Sequence, residues 1–588
     1  MSRNKEDKAV AGRDRRVLEL TDRLMEIEQR LIPTGLHIFG REPARAVSSD
    51  ALRVLASFDR PEEEITSLPQ LIAAGLGLGS YAMLRGEALS EENLATRERI
   101  DRLARDVIET FFDHRNAQPS LRCVEMLNEG GCAIDRHQLE KLLDFLSSTI
   151  AGMESSREAD SLAAALRGQY VEPGPGGDII QNPGVLPTGR NTHAVNPYSV
   201  PSRAAVLRAE PQARALLDRH RSESGRYPET IAMVLWGIDN IKTQGESVAQ
   251  ALWLLGVRPK RDALNRTTGI EIVPLEQLGR PRIDVVMTVS GIFRDLFGTT
   301  MELLDAAVRS VAGLHESDEQ NFVRKHVRAQ MSQAGDDFDE AVLRVFSNAP
   351  GNYGTNVNFM VNDSQWNDSR ELGELFVTRK CFAYGRDSRR KSFEGREAKA
   401  LLERALARVE VTYQNIDSTE VGIVDVDHYF EYLGGVTRAA EKQSGARPAI
   451  YLSDSLSPDR KVRTLEETVK LETRTKTLNP KWFEGMLQHG FSGVAEIEHR
   501  VTNTFGWSAT ADAVDDWVYD EVAATFVLDH EMLERLRRLN PHSARTLVGR
   551  LLEAAGRGYW SVEPSTLEEL RRAYHDLEDR LEGVVVDA

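Results

Sequence analysis

Near the middle of the chain runs Ile231-Ala232-Met233-Val234-Leu235-Trp236, six apolar residues in a row. An unbroken apolar run of this length marks a strand buried on both faces, as in parallel sheets. Just downstream, Ser247 to Leu255 reads as a helix and Ile270 to Val273 as a strand. Ile283 to Val289 reads as a further strand, and Phe293 to Val311 as another helix. Strand–helix–strand order predicts a parallel α/β unit. Ligands in such sheets sit beyond the carboxyl ends of the strands. That rule puts Trp236-Gly237-Ile238-Asp239-Asn240 and Ser290-Gly291 on one edge.

Further out the pattern changes. Val17, Leu20, Leu24, Ile27 and Leu31 fall at helical spacing and end at Pro33. The region from 60 to 165 is rich in amphipathic helix. Glu397 to Val409 and Arg463 to Thr477 also read as helices, the second stopping at Asn479-Pro480. A last helix follows Pro564, with Ser565-Thr566-Leu567-Glu568 as a capping box. The expected class is a multidomain α/β protein: a helix-rich N-terminal part, a parallel-sheet α/β region, then further mixed α/β segments. The expected boundaries are a flexible tail over 1–14, a helix-rich region over 15–167, and a Gly/Pro-rich loop with a connecting helix over 168–227. A parallel α/β domain follows over 228–345, and a mixed, mainly helical region over 346–588.

Bulk properties narrow the function. The chain has 588 residues, a net charge of -17 and no dense Lys/Arg stripe, which argues against nucleic-acid binding. Its 41% hydrophobic and 28% charged residues are those of a globular protein. The longest apolar run, Ile231 to Ile238, falls far short of a membrane span. Met1 to Arg16 is charged and has no signal-peptide core, so the expected location is cytoplasmic. Cys123, Cys132 and Cys381 have no zinc spacing and make no disulfide framework.

Gln169 to Asp178 and Leu186 to Pro197 form a dense Gly/Pro segment that cannot be a helix or a central strand. It reads as a loop of fixed shape. Ala349-Pro350-Gly351-Asn352-Tyr353-Gly354 is a second such loop. No G-x-x-x-x-G-K-[ST] occurs, and the chain lacks even a Gly-Lys pair, so it carries no recognisable NTPase loop.

Several long motifs carry a family resemblance. They include Leu31-Ile32-Pro33-Thr34-Gly35-Leu36-His37, Leu235-Trp236-Gly237-Ile238-Asp239-Asn240-Ile241-Lys242-Thr243-Gln244-Gly245-Glu246-Ser247 and Gly279-Arg280-Pro281-Arg282. Phe346-Ser347-Asn348-Ala349-Pro350-Gly351-Asn352-Tyr353-Gly354, Asn479-Pro480-Lys481-Trp482 and Asn503-Thr504-Phe505-Gly506-Trp507 extend the set. On these the chain closely resembles the H subunit of magnesium chelatase and its relative, the large subunit of aerobic cobaltochelatase. Thr412-Tyr413-Gln414-Asn415-Ile416-Asp417-Ser418 and Tyr432-Leu433-Gly434-Gly435-Val436 look more like the magnesium enzyme.

The resemblance implies a porphyrin-binding subunit that inserts Mg²⁺ into protoporphyrin IX in bacteriochlorophyll biosynthesis. It implies that ATP is hydrolysed by partners, the AAA+ motor subunits of I and D type. Family H subunits have a large region before the Leu31-Ile32-Pro33-Thr34-Gly35 motif, where this chain begins. A separate N-terminal H-type polypeptide is therefore a further implied partner. The alternatives are cobalt insertion into a corrin precursor, a non-catalytic truncated tetrapyrrole carrier or regulator, and a scaffold for a partner polypeptide.

Metal insertion needs bases near the pyrrole nitrogens, an apolar cavity for the macrocycle and Arg or Lys for the propionates. His193 in the Gly/Pro loop is the favoured imidazole, with Glu172 and Asp178 beside it and Asp239 at the strand end as further catalytic candidates. Loop histidines and turn carboxylates just as well serve to pin backbone. Arg190, Asn191, Trp236, Asn240, Arg294 and Tyr353 are the substrate-binding candidates. Arg294 has the alternative of pairing with Asp295, and large aromatics the alternative of an ordinary core role. Asp425, Asp427, His428 and Glu431 are the candidate group for delivering Mg²⁺, against the plainer reading of a solvated charge run.

Overall fold

The computed structural model describes residues 15–27, 30, 35–86, 89–115, 117–180, 182–193, 196–386, 395–418, 420–455 and 461–584. The expected tail over 1–14, and Leu31 and Pro33 at the end of the first expected helix, lie outside them. The chain divides into two compact units, with the boundary between His193 and Ala194.

The first unit is helical. Its longest helix, Glu91–His114, is capped by Ser90, whose Oγ accepts from Asn93 N at 3.1 Å. Ile100, Leu103, Ala104, Val107, Ile108 and Phe111 recur on it at intervals of three and four and form one buried stripe. That stripe shares a core with Leu52 and Leu55 of Arg45–Ala56 and with Leu139, Leu142 and Leu146 of Arg136–Met153. Cys123 and Cys132 are buried here as free thiols. The Gly/Pro segment closes the unit with two three-residue strands, β1 (Pro173–Pro175) and β2 (Asn191–His193), paired in parallel.

The second unit is built on a sheet that begins with the apolar run itself, β3 (Thr230–Leu235), every residue of it buried. After β3 come a hairpin, β4 (Val257–Arg261) and β5 (Thr267–Ile272), then β6 (Asp284–Val289) and β7 (Val345–Ser347). The later strands are β8 (Phe382–Ala383), β9 (Arg396–Glu397), β10 (Val411–Ile416), β11 (Ala449–Asp454) and β12 (Val462–Thr464). The main sheet has the order β12-β11-β10-β3-β6-β7-β8-β9. The run β11, β10, β3, β6, β7 is parallel; β12, β8 and β9 are antiparallel edges.

Four expectations change. The stretch near Ile270 is not in the main sheet: β5 pairs only with β4, and its residues are at most half-buried. The expected single helix over Phe293 to Val311 breaks at Phe297 into Gly291–Leu296 and Gly298–Ala312. The sheet extends past 228–345, because Val411–Ile416 and Ala449–Asp454 supply two parallel strands from the region read as mainly helical. At Pro564–Leu581 no side chain caps the helix, and Pro564 takes its first turn instead. A complete capping box occurs at Thr464 and Glu467.

Among the described residues no helix is long and apolar enough to cross a membrane.

Candidate functional site

The strand order locates the site. From β3 the chain steps to β6 and β7 on one side, then returns through β10 to the other side of β3. The carboxyl ends of β3 and β10 therefore flank a switch point, where connections diverge and leave a crevice. Trp236 follows β3 directly. Ser290 follows β6, and its Oγ accepts from Gly237 N at 3.0 Å and Phe293 N at 3.1 Å, tying the two strand ends together. The approach is so close that a Cβ on Gly237 would lie 2.6 Å from Ile292 Cγ2. A Cβ on Gly291 would run into the Tyr353 ring. These contacts explain the two glycines in terms of packing.

An aromatic group stands on this edge. The Trp236 ring centroid is 4.2 Å from that of Tyr432 and 5.6 Å from that of His428. Lys380 Nζ lies 4.1 Å from the centre of the Tyr432 ring and donates to Val289 O and Asn348 Oδ1, both at 2.8 Å. Burial holds the Lys380 ammonium well below its usual range, and burial pushes the Tyr432 phenol up. Around them, the segments after four of the five parallel strands expose a large apolar side chain: Ile238 after β3, Ile292 after β6, Tyr353 after β7 and Val421 after β10. Their place at the carboxyl edge, where ligands sit in such sheets, makes this the candidate binding surface.

The group Asp425, Asp427, His428 and Glu431 divides. Glu431 is buried. Its Oε1 accepts from the backbone N–H groups of Thr355 and Asn356 and from Thr355 Oγ1, and its Oε2 meets His428 Nδ1 at 2.8 Å. Asp427 Oδ2 accepts from Asn358 Nδ2 at 2.6 Å, and its Oδ1 is 3.6 Å from His428 Nδ1. These three residues come together where a π-turn, Phe430–Gly434, opens the helix Gly435–Ser444; such turns are frequent at functional sites. Asp425 lies elsewhere, ion-paired to Lys476 and Arg500. Among the described residues no three His, Cys, Asp or Glu side chains converge as a metal-ligating group.

The hydrogen bond donated to Glu431 raises the His428 pKa, with Asp427 adding to it and burial opposing. For Glu431 burial works upward, but His428 and Thr355 outweigh it and hold the carboxyl low. His428 is thus a base oriented by a carboxylate, with its side chain 58% exposed. With Nδ1–H on Glu431, Nε2 is the acceptor.

The other candidates take different places. Arg294 donates from Nε to Asp295 and from Nη1 to the carbonyls of Asn348, Ala349 and Asn352, so it pins the loop after β7. Asp295 also accepts from the Tyr353 hydroxyl. Asn240 is buried, donating to Trp236 O at 2.6 Å and accepting from Ser247 Oγ at 2.9 Å, and so shapes the turn. Asp239 is buried beneath this surface, near Asp417 and Glu246.

In the first unit, Arg190 donates to Gly184 O and Leu186 O and fixes its own loop. Asn191 N donates to Glu172 O at 3.0 Å, while the Glu172 carboxylate is exposed and 3.9 Å from Arg157. Asp178 Oδ1 accepts from Ile180 N in a local turn. The side chain of His193 lies outside the described residues.

Sequence reasoning missed Lys380, and it gave no site role to Tyr432, Ile238 and Ile292, which lie within the motifs it read. Lys380 follows Arg379 at a helix end and reads as an exposed basic pair; only the sheet shows it buried.

Residues 2–567 match the sequence profile of CobN/Magnesium Chelatase. The chain belongs to this family. Its similarity to the magnesium-chelatase subunit ChlH, chloroplastic, of Oryza sativa subsp. japonica is 44% identity, covering 97% of this chain and 43% of that one. To the aerobic cobaltochelatase subunit CobN of Sinorhizobium sp it is 33% identity, over 93% and 45% of the two chains. A solved structure, the catalytic subunit of cobaltochelatase from Mycobacterium tuberculosis, superposes with a TM-score of 0.85 at 33% identity, over 96% and 46% of the two chains. This CobN/Magnesium Chelatase chain spans less than half the length of the relatives it matches.

Proposed function

We propose that this chain supplies the H-type, porphyrin-binding part of a magnesium chelatase, in which Mg²⁺ enters protoporphyrin IX in bacteriochlorophyll biosynthesis. The observation that carries the reading is the carboxyl edge of the sheet. There the half-buried Trp236, backed by the buried Tyr432, and an apolar rim adjoin a carboxylate-oriented imidazole. A flat apolar macrocycle needs the first two, and loss of pyrrole protons needs the third. Identity of 44% to a magnesium-chelatase subunit against 33% to a cobaltochelatase subunit favours magnesium.

Trp236 and the rim bind and orient the ring. His428 Nε2 takes each pyrrole N–H proton in turn, Glu431 stabilises the imidazolium through Nδ1–H, and the exposed ring returns the proton to water. Asp427, half-buried beside His428, is the carboxylate nearest to an incoming Mg²⁺. Motor subunits of the AAA+ I and D type hydrolyse ATP.

The test is a fluorescence titration of the purified protein with a soluble protoporphyrin analogue, followed by Mg²⁺, ATP and the motor subunits. Saturable quenching and the emission shift of Mg-porphyrin are expected. No binding under any combination would sink the reading, and binding with insertion of Co²⁺ but not Mg²⁺ would replace it by the cobalt alternative.

A further inference from the structure

The segment that leads from β10 to His428 is held as ordinary loops are not. Ile423 and Val424 are buried there, and all four of their backbone polar groups are taken by side chains of two helices distant in sequence. Glu472 ends the helix Leu465–Glu472; its Oε1 accepts from Ile423 N at 2.9 Å and its Oε2 from Val424 N at 3.2 Å. On the helix Phe491–Ala511, Trp507 Nε1 donates to Ile423 O at 2.9 Å and Asn503 Nδ2 to Val424 O at 3.0 Å. Both belong to the motif Asn503-Thr504-Phe505-Gly506-Trp507. Connecting segments usually run over the surface, where water satisfies the backbone. Here a pair of helices does so.

The clamp is closed on its other sides. A Cβ on Gly422 would run into the Glu472 carboxylate. Lys476 Nζ donates to Glu420 O at 2.5 Å and to Asp425 Oδ2 at 2.8 Å. Arg500 is buried, pairs with Asp425 Oδ1 and donates from Nε to Thr477 Oγ1 at 2.8 Å. Asp425 thus braces the segment that ends in Asp427 and His428. Val424 stands only four residues before His428, which leaves the chain little slack. Glu431 orients the imidazole, and the clamp sets where the backbone that carries it lies. A base acts only within about 3 Å of the proton it takes, so that placement bears on the rate.

We infer that Glu472, Asn503 and Trp507 are positioning residues for metal insertion, acting through His428 although all three are buried. The inference rests on the role proposed for His428.

A double-mutant cycle tests it, read as single-turnover Mg²⁺ insertion with the motor subunits and a saturating soluble protoporphyrin analogue. Trp507→Phe keeps an aromatic ring and removes the N–H that holds Ile423 O. The insertion rate should fall by about 10-fold, within the loss that a misplacement on the order of 1 Å can cause, while the dissociation constant for the analogue stays at the wild-type value. In a His428→Ala background the same substitution should have no further effect on the residual rate, because the group it misplaces is already gone. Should Trp507→Phe not fold by far-UV circular dichroism, Asn503→Leu, which removes the donor to Val424 O at similar size, takes its place in the cycle. A loss by the same factor in both backgrounds overturns the inference, since the substitution then acts on the fold at large. An unaffected rate in Trp507→Phe beside a large loss in His428→Ala overturns this inference alone. Wild-type insertion by His428→Ala overturns the role proposed for His428 and this inference with it.

Discussion

His326 and His428 stand at opposite ends of one sheet, each between carboxylates, and they are used in opposite ways. At the amino end His326 is buried. Its Nδ1 meets Asp284 Oδ2 at 2.9 Å and its Nε2 meets Glu229 at 3.1 Å, so both ring nitrogens are occupied. Arg344 holds the other side of Asp284 at 2.9 Å, and Lys325 holds Glu229. At the carboxyl end every described bond of the His428 ring is made through Nδ1, and the ring is open to solvent. The residue types are nearly the same. What separates a strut from a base is whether the second nitrogen is occupied and whether solvent reaches it.

The comparison breaks most sharply on function. His428→Ala should lower the metal-insertion rate by about 10²–10⁴-fold, the usual worth of a general base, while porphyrin binding and melting stay near wild type. Single-turnover insertion with the motor subunits reads this out, and an unchanged rate would make His428 as structural as His326.

The amino end should fail in stability. Asp284→Ala leaves Arg344 buried without its partner and should cost about 3–5 kcal/mol in denaturant unfolding, without a specific effect on porphyrin affinity. Burial pushes the Asp284 carboxyl up, yet Arg344 and His326 outweigh it and hold the pKa at about 2. A depressed carboxylate stabilises the fold above its unfolded pKa near 3.8, so this contribution should disappear as pH falls from about 4 to about 2. Acid unfolding of wild type against Asp284→Asn checks it: the variant should show a flatter profile in that window.

The smallest effect sharpens the pairing at the other end. Glu431 raises the His428 pKa, and a base must be unprotonated to work, so insertion should rise with pH through an inflection above the ordinary imidazole value. Glu431→Gln keeps the acceptor for Thr355 and removes the charge. The inflection should move down towards the ordinary value, and a profile that does not move would remove Glu431 from any role in setting the base.

How much of this was legible in the residues follows from what kind of signal each carried. Thr230–Leu235 is buried on both faces, so its apolar run announced the strand, and the carboxyl-edge rule then placed Trp236 and Ser290-Gly291 together. β10 was not legible as a strand, because Val-Thr-Tyr-Gln-Asn-Ile mixes polar and apolar residues although all six are buried. The Gly/Pro loop drew functional expectations for Arg190 and Asp178 that its hydrogen bonds give to its own backbone. Of the acidic group, spacing joined Asp425 to Asp427, His428 and Glu431; only the turn of the chain separates them. Nothing local marks Lys380, whose burial depends on a sheet edge assembled from distant strands.

The place of β3 also bears on how the chain is made. Its neighbour on one side, β10, pairs Val411 with Ile231 and is synthesised long after it. Until then Thr230–Leu235 is an apolar edge with unpaired backbone, and the nascent polypeptide carries it through the synthesis of β6, β7 and the helices between them. Long-range pairing of this kind is slow and leaves open edges that attract other chains. Assembly of the central sheet is therefore a late event in the life of the nascent chain, and the interval before it is when the protein is most in need of chaperone cover.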